Sequence, residues 1–342
     1  MAFVSGSTIV GLPGKAAFPL ATAPAGGLMG WLSPVAVPSP DGQSIAYNTF
    51  SYLISIDPEK SWSQQGVHPG DAVGTPSIHL VDLASGNDTV LANGAFSLAW
   101  RADGAIAYFQ GQSDNYYADQ PFLGNVMVRQ TVGAAPEPWT NDPDRYIVAA
   151  WAGSRLLVYR ESEGEWLDLL AFDGPGQSRV LASGADLVAV SPDGSQILAS
   201  QPGVASLIDV GTGKTLASLD LGQVDPVTGQ PIGHLAYGGS WVGGEIAVEG
   251  GPGLVLLGVT GSSITVMDAI ALSPSVFPMP AHEPRLSADG ARIVAWTPLL
   301  GAAGQRTYAY LDCAIATRSC VKGPVVDVPG FYAVYNPSRP FS

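Results

Sequence analysis

The sequence predicts an all-β fold of repeated four-stranded units, and its tight turns are the first indication. Four turns share one pattern, in which Asp-Gly precedes a β-branched or aromatic run; they begin at Ser39, Arg101, Ser191 and Ser287. Two degenerate copies follow Trp151 and Trp241. Asp bonds its own backbone and Gly accepts positive φ, so each copy predicts a turn between two strands. The copies recur roughly every four dozen residues, the spacing of propeller blades.

Each unit continues in the same way after its turn. A second apolar strand ends in a polar turn at 78–86 and again at 206–213, and a further strand follows at 89–92 and 215–219. Four strands per unit are typical of a β-propeller blade rather than of a solenoid rung. With 28 Pro, 42 Gly and no sustained helical periodicity, the chain is predicted to be nearly all β.

The two ends of the chain resemble parts of one further unit. Residues 7–20 parallel the outer strands at 206–219, and residues 331–338 resemble the inner strand and turn at 187–193. We therefore predict a single propeller domain over 1–342 with seven blades, the last one a composite of 1–22 and 331–342 that closes the ring. The alternative is six blades with an N-terminal tail and a C-terminal plug.

Composition limits the classes of function. Hydrophobic residues make up 46% of the chain and charged residues 13%, which favours a large core and excludes disorder. No run of eighteen apolar residues occurs, so no transmembrane segment is predicted. The net charge of −14 and the pI near 4.4 exclude nucleic acid as a partner, because phosphate binding needs clustered Lys and Arg.

Two cysteines, Cys313 and Cys320, are predicted to form a disulfide across the hairpin of the third and fourth strands of the sixth unit. The alternative is two free thiols in a cytoplasmic protein. A disulfide implies an oxidising compartment, so we expect a periplasmic or secreted protein. Residues 1–5 have no basic region and no long apolar core, so we expect a signal peptide to have been removed.

The repeated phrases resemble those of a known family. Ser-Pro-Asp-Gly before Ile-Ala-Tyr or Ile-Leu-Ala, with Asp-Leu-Ala-Ser-Gly or Asp-Val-Gly-Thr-Gly in the next hairpin, is similar to the TolB-type, WD-like β-propeller repeat over the whole chain. The resemblance implies an exported interaction protein, or a lid such as those on serine peptidases. The chain lacks the separate N-terminal α/β domain of TolB, so a lipoprotein partner is not carried over.

Motifs for catalysis are sparse. No Gly-x-Ser-x-Gly elbow occurs, and the four histidines, His68, His79, His234 and His282, show no zinc-binding spacing. His79 lies within a predicted strand and is interpreted as a packed or surface side chain. We therefore predict no catalytic residue, no metal and no cofactor.

Two long loops, at 48–77 and 110–124, distinguish the first two units, and long loops on a rigid scaffold tend to carry function. With residues from the third and sixth units they are predicted to surround a ligand at the mouth of the central channel. The predicted binding residues are Trp62, His68, Asp71, Tyr116, Tyr117, Phe122, Trp139 and Arg306. The alternative is that the aromatic side chains fold back and cover the ends of the blades.

These observations favour a monomeric, non-enzymatic, exported propeller that recognises a protein, a peptide or a glycan at its loop-rich face. The alternative is a metal-dependent lyase or a lactonase-like hydrolase with its site in the channel. For that alternative, Asp186 and Glu283 are the candidate ligands.

Overall fold

The computed structural model describes most of the repeated units and parts of the connections between them. The described residues are 3–5, 8–10, 18–19, 36–49, 72–74, 76–111, 116–117, 123–142, 146–162, 166–222, 231–235, 238–251, 253–272, 282–300, 306–326 and 332–333. All regular secondary structure in these ranges is β, which confirms the predicted all-β class. The same ranges contain no helix with the length and apolar character needed to cross a membrane.

Fifteen of the described strands belong to the N-terminal half of the chain. They are β1 (Phe3–Ser5), β2 (Thr8–Val10), β3 (Phe18–Pro19), β4 (Ala36–Pro38), β5 (Ser44–Thr49), β6 (Ala72–Gly74), β7 (Ser77–Asp82), β8 (Asp88–Asn93), β9 (Ala95–Trp100), β10 (Ile106–Gly111), β11 (Tyr116–Tyr117), β12 (Gly124–Arg129), β13 (Glu137–Pro138), β14 (Tyr146–Ala152) and β15 (Arg155–Ser162). The C-terminal half contributes β16 (Trp166–Gly174), β17 (Gln177–Ser183), β18 (Asp186–Val190), β19 (Gln196–Gln201), β20 (Val204–Asp209), β21 (Thr215–Asp220), β22 (Ser240–Val242), β23 (Glu245–Gly250), β24 (Gly253–Thr260), β25 (Ser263–Ala271), β26 (His282–Leu286), β27 (Arg292–Leu300), β28 (Arg306–Ala314), β29 (Ser319–Val326) and β30 (Tyr332–Ala333).

Among the described residues, six sheets have four antiparallel strands each, and each sheet comes from one stretch of the chain. We number them one to six: β4-β5-β7-β8, β9-β10-β12-β13, β14-β15-β16-β17, β18-β19-β20-β21, β22-β23-β24-β25 and β26-β27-β28-β29. A further four-stranded sheet, the joint sheet, has the order β3-β2-β1-β30 and so combines both ends of the chain. In it Phe3 pairs with Ala333 and Val4 pairs with Tyr332. Closure of a seven-bladed ring stays a prediction.

The residues group into two compact units. The first comprises 1–166, 170–178 and 330–336, and the second comprises 167–169, 179–329 and 337–342. In the first unit, an aromatic core includes Phe96 against Phe109, with ring centroids 5.0 Å apart. The second unit has aliphatic cores, one between sheets four and five and one between sheets five and six.

The Asp-Gly turns form as predicted, and a serine completes three of them. In sheet four, the Ser191 hydroxyl donates to Asp193 at 2.7 Å, and the Gln196 N–H donates to the Ser191 oxygen at 2.9 Å. The turns at Ser39 and Ser287 repeat both bonds. The serine thus ties the aspartate to the start of the second strand, and the local sequence is sufficient to specify the turn.

These bonds lower the pKa of the turn aspartates. The Ser195 N–H and the Ser191 hydroxyl hold the pKa of Asp193 below its ordinary value, and hydrogen bonds from Ser287 and Arg101 do the same for Asp289 and Asp103. A carboxylate with a lower pKa in the folded state stabilises the fold above its unfolded pKa. That contribution is lost as the pH falls through the folded pKa.

We therefore expect the free energy of unfolding to fall as the pH drops below about 4. The Asp193→Asn variant should flatten this dependence, with an effect under about 1 kcal/mol because the side chain is largely exposed. Urea unfolding between acidic and neutral pH measures it. Glu137→Gln removes one exposed charge on β13 and is the matched control. Equal changes in the two variants would show that the turn bonds are not the source.

Two buried serines tie neighbouring sheets by the same contact. The Ser97 oxygen accepts the Val148 N–H at 2.9 Å in the first unit, and the Ser240 oxygen accepts the Leu286 N–H at 3.1 Å in the second. Ser97 has a φ of 45°, in the left-handed region that few residues other than glycine adopt. The Ser97 hydroxyl oxygen thus provides a hydrogen-bond partner for the buried Val148 N–H. Ser97 lies at an irregularity in the pairing of β9, the first strand of sheet two, with β10.

The predicted disulfide between Cys313 and Cys320 is confirmed. The two residues lie directly opposite each other on β28 and β29, the third and fourth strands of sheet six. Cys313 is fully buried in the core of the second unit. The bridge therefore fastens the outermost strand of this sheet to its neighbour.

The outer strands share an exposed apolar side chain. One such residue lies on each of β8, β17, β21, β25 and β29: Val90, Val180, Leu216, Met267 and Val321. Each of these strands stands at the end of its sheet.

Candidate functional site

A row of polar side chains lies on one face of sheet one. We call it the polar row, and it consists of Tyr47, Thr49, Ser77, His79 and Asp88. Tyr47 lies opposite His79, and Thr49 lies opposite Ser77, in the pairing of β5 with β7. Side chains two residues apart on a strand point to the same face of the sheet. Ser77 and His79 therefore share one face with Tyr47 and Thr49, and Ile78 is buried on the opposite face.

The polar row is linked by hydrogen bonds along its whole length. His79 Nε2 lies 3.2 Å from Ser77 Oγ, and His79 Nδ1 lies 2.9 Å from Asp88 Oδ1. The Tyr47 hydroxyl donates to Asp88 Oδ2, and the Tyr47 ring stacks on the imidazole with centroids 5.1 Å apart. Thr49 Oγ1 lies 2.7 Å from Ser77 Oγ. Serine, histidine and aspartate thus stand in the order found in nucleophilic hydrolases.

The chemistry of the acceptors sets the direction of these bonds. An ionised carboxylate only accepts, so His79 Nδ1 carries the proton that faces Asp88. In the neutral imidazole, Nε2 then accepts the Ser77 O–H, and Thr49 donates to Ser77 Oγ. The side chains of His79 and Asp88 are 12% and 10% exposed, so water competes weakly for these bonds.

The polar row was not predicted from the sequence. His79 was interpreted as a packed or surface side chain, whereas Ser77, Asp88 and Tyr47 surround its imidazole in the structure. One signal was present: Ser77 and His79 are two apart on a predicted strand, and Asp88 follows the next hairpin turn. The participation of Tyr47 and Thr49 on β5 could not be predicted, because a long loop separates β5 from β7 in the chain.

Most of the predicted binding residues lie in the long loops. Trp62, His68, Asp71 and Phe122 lie outside the described residues. Arg306 is the first residue of β28, and its side chain is not among those described.

Tyr116 and Tyr117 form β11, which pairs with β6 in a two-stranded ladder. β6 belongs to the loop at 48–77 and β11 to the loop at 110–124. The backbone therefore brings the two long loops together, whereas the binding role of their side chains stays a prediction.

Trp139 lies in the interior of the first unit rather than at an open surface. It is 4% exposed, and its ring meets the Trp151 ring edge to face at 5.6 Å. The binding role of Trp139 stays a prediction.

Few of the described side chains support the alternative prediction of a metal-dependent enzyme. No group of three or more His, Cys, Asp and Glu residues within the described ranges is arranged to hold a metal. His234 Nε2 lies 3.2 Å from Asp186 Oδ2, and both side chains are substantially exposed. Glu283 lies on β26, and its side chain is not described. A metal-dependent reaction stays untested.

The comparison with known proteins gives similarity in structure alone. No protein-family model matches the chain. No curated protein sequence matches it either.

Among solved structures, an oligogalacturonate lyase in complex with manganese is similar at a TM-score of 0.55 and 12% identity, over 91% of this chain and 83% of that one. The β-propeller domain of the Trilobed protease from Pyrococcus furiosus is similar at a TM-score of 0.50 and 13% identity, over 90% and 92%. A TolB structure from Agrobacterium tumefaciens reaches a TM-score of 0.47 at 12% identity, over 80% and 100%, a likeness too weak to carry an argument. At these identities only the architecture is shared, and the chain has the β-propeller fold.

Proposed function

We propose that the protein is an exported, seven-bladed binding propeller whose loop-rich end receives an extended, basic segment of a partner protein. One observation carries the proposal: the β6–β11 ladder joins the long loops at 48–77 and 110–124, which come from different repeats. Loops that extend from a rigid sheet scaffold are the usual place for recognition. A partner strand that adds to such a ladder gains main-chain hydrogen bonds in register.

The charge of the loops supports a basic partner. In sequence, the two loops carry more acidic than basic side chains: Asp57, Glu59, Asp71, Asp114 and Asp119 against Lys60. The net charge of −14 acts in the same direction over a longer range. Complementary charge steers a partner and accelerates its association. Tyrosines such as Tyr116 and Tyr117 add the amphipathic contacts that often dominate binding energy.

Export and ring closure complete the proposal. The Cys313–Cys320 disulfide is consistent with an oxidising compartment, where such bonds persist. Pairing of β1 with β30 is the contact expected if both ends of the chain build the last blade.

A peptide-display selection on the purified protein tests the proposal. We expect the enriched peptides to be rich in Lys and Arg and to bind more weakly as salt is added, because the attraction is screened. Replacing both Tyr116 and Tyr117 with serine should weaken the binding measured by fluorescence anisotropy at least about tenfold. The matched control replaces Val180 and Val321, exposed apolar residues on β17 and β29, with serine. Equal loss in both double variants, or enrichment of acidic peptides, would contradict the proposed face.

A further inference from the structure

We propose that Ser77 is the nucleophile of a Ser-His-Asp site in sheet one, and that it accepts acyl groups from small esters. The site is Ser77 on β7, His79 on the same strand and Asp88 on β8, with Tyr47 and Thr49 of β5 as positioning residues. The inference stands on the geometry of the polar row and is independent of the proposed partner.

The three groups are arranged as a base-activated hydroxyl requires. His79 Nε2 is 3.2 Å from the Ser77 oxygen, within reach of its proton. Asp88 lies 2.9 Å from the opposite ring nitrogen, so it fixes the tautomer that leaves Nε2 free to take that proton. The same carboxylate stabilises the imidazolium that forms after the transfer.

The surrounding groups restrain the base. The Tyr47 ring stacks on the imidazole, and its hydroxyl holds the second oxygen of Asp88, so both ring and carboxylate have a fixed orientation. Tyr47 is fully buried and Thr49 is 5% exposed, and neither is accessible to a substrate. Ser77, by contrast, is partly exposed and is the first residue of its strand. It lies three residues after the end of β6, at the C-terminal end of the long loop at 48–77 in the sequence.

The fold does not require these side chains, because sheet four forms the same blade without them. Asp82 and Asp209 end equivalent strands, pair with Ser44 and Gln196, and cap equivalent turns. The two strands can be aligned on these aspartates. The position of His79 in sheet one is then occupied by Ser206 in sheet four, and the position of Ser77 by Val204.

The neighbouring strands differ in the same way. The residue paired with Ser206 is Ala199, where sheet one has Tyr47, and the position of Asp88 is occupied by Thr215. A set of polar side chains that one repeat carries and its equivalent lacks indicates a task other than building the blade.

The reaction balances with water as the second substrate. Ser77 Oγ bonds to the acyl carbon while its proton passes to His79 Nε2, and the ester C–O bond breaks as the leaving alcohol takes that proton. Water then attacks the acyl-serine and gives a proton to His79. The carboxylic acid leaves, and Ser77 recovers its hydroxyl proton.

The test uses the folded full chain and a small alkyl fluorophosphonate, which phosphonylates activated serines with loss of fluoride. Peptide mass spectrometry is expected to find the adduct on Ser77 and none on Ser206, the hydroxyl at the position of His79 in sheet four. Protein unfolded in urea should not react. A folded protein with no adduct on Ser77, or with equal adducts on Ser77 and Ser206, would overturn the proposal.

Variants separate a nucleophile from a merely structural serine. Ser77→Ala should abolish the labelling, and His79→Gln should slow it at least about a hundredfold, each in protein that retains its β-sheet circular dichroism. Asp88→Asn should slow the labelling and shift its pH profile, because the tautomer of His79 is then no longer fixed. Hydrolysis of p-nitrophenyl acetate should follow the same order. If His79→Gln labels Ser77 at the wild-type rate, the histidine is not the base and the proposal fails.

Discussion

Replacing Gly253 with alanine is expected to lower the free energy of unfolding by about 3 kcal/mol, the upper end of the usual cost of overpacking, because the backbone itself must move. Gly253 begins β24 and pairs with Gly250 on one side and Ala271 on the other. A Cβ at this position would lie 2.2 Å from the Ile270 carbonyl oxygen and 3.2 Å from the Leu272 nitrogen. Both are backbone atoms, so no side-chain rotation relieves the contact. Denaturant unfolding measures the loss.

Gly174 is the matched control for this variant. It ends β16 in a hairpin, and a Cβ there meets nothing within 4 Å. Gly174→Ala should change stability by less than about 0.5 kcal/mol, because the added methyl group displaces no neighbouring atom. Similar losses in the two variants would mean that the general cost of replacing glycine, and not the contact with Ile270, explains the effect.

Replacing Trp151 with alanine is expected to cost about 3 to 5 kcal/mol, the range for a large aromatic side chain removed from a core. Trp151 is 8% exposed and packs edge to face against Trp139. Its indole N–H donates to the Ala99 carbonyl at 3.1 Å, and the Arg101 guanidinium lies over the ring at 4.7 Å. One side chain thus connects sheet three to sheet two through a hydrogen bond and a cation–π contact. Hydrogen exchange should show reduced protection in both sheets.

Trp241 provides the comparison, because it occupies the equivalent place in sheet five. Its indole N–H donates to the Gly243 carbonyl, only two residues along the chain, so this bond connects no second sheet. We expect Trp151→Phe to cost about 1 kcal/mol more than Trp241→Phe, the value of a buried hydrogen bond between sheets. Equal costs would show that ring packing alone accounts for the role of Trp151.

The sequence was informative where the cause of a structure is local. An Asp-Gly turn depends on four or five neighbouring residues, so the turns at Asp41, Asp193 and Asp289 were predictable from the chain alone. The disulfide was predictable for the same reason, because its two cysteines belong to one hairpin. The number of strands in each repeat was predictable because apolar runs alternate with polar turns along the sequence.

Features that depend on register between distant segments were not predictable. Tyr47 reaches Asp88 only because β5 pairs with β7 across the loop at 48–77, and Trp151 reaches Ala99 only because two repeats pack together. Trp139 was predicted at the mouth of the channel, where the chain enters the third unit, whereas the structure packs its ring against Trp151 in the interior of the first unit. Burial of a large aromatic ring outweighs the position of the residue in the chain.

The exposed valine, leucine and methionine side chains of the outer strands have a consequence for self-association. Each lies at the end of a sheet, where the backbone is able to accept another strand. At neutral pH the excess of carboxylates keeps separate molecules apart by mutual repulsion. Near the pI of about 4.4 the net charge approaches zero and this repulsion is lost, so edge strands of different molecules are free to join. Prolonged storage near that pH should favour fibril formation over crystal growth.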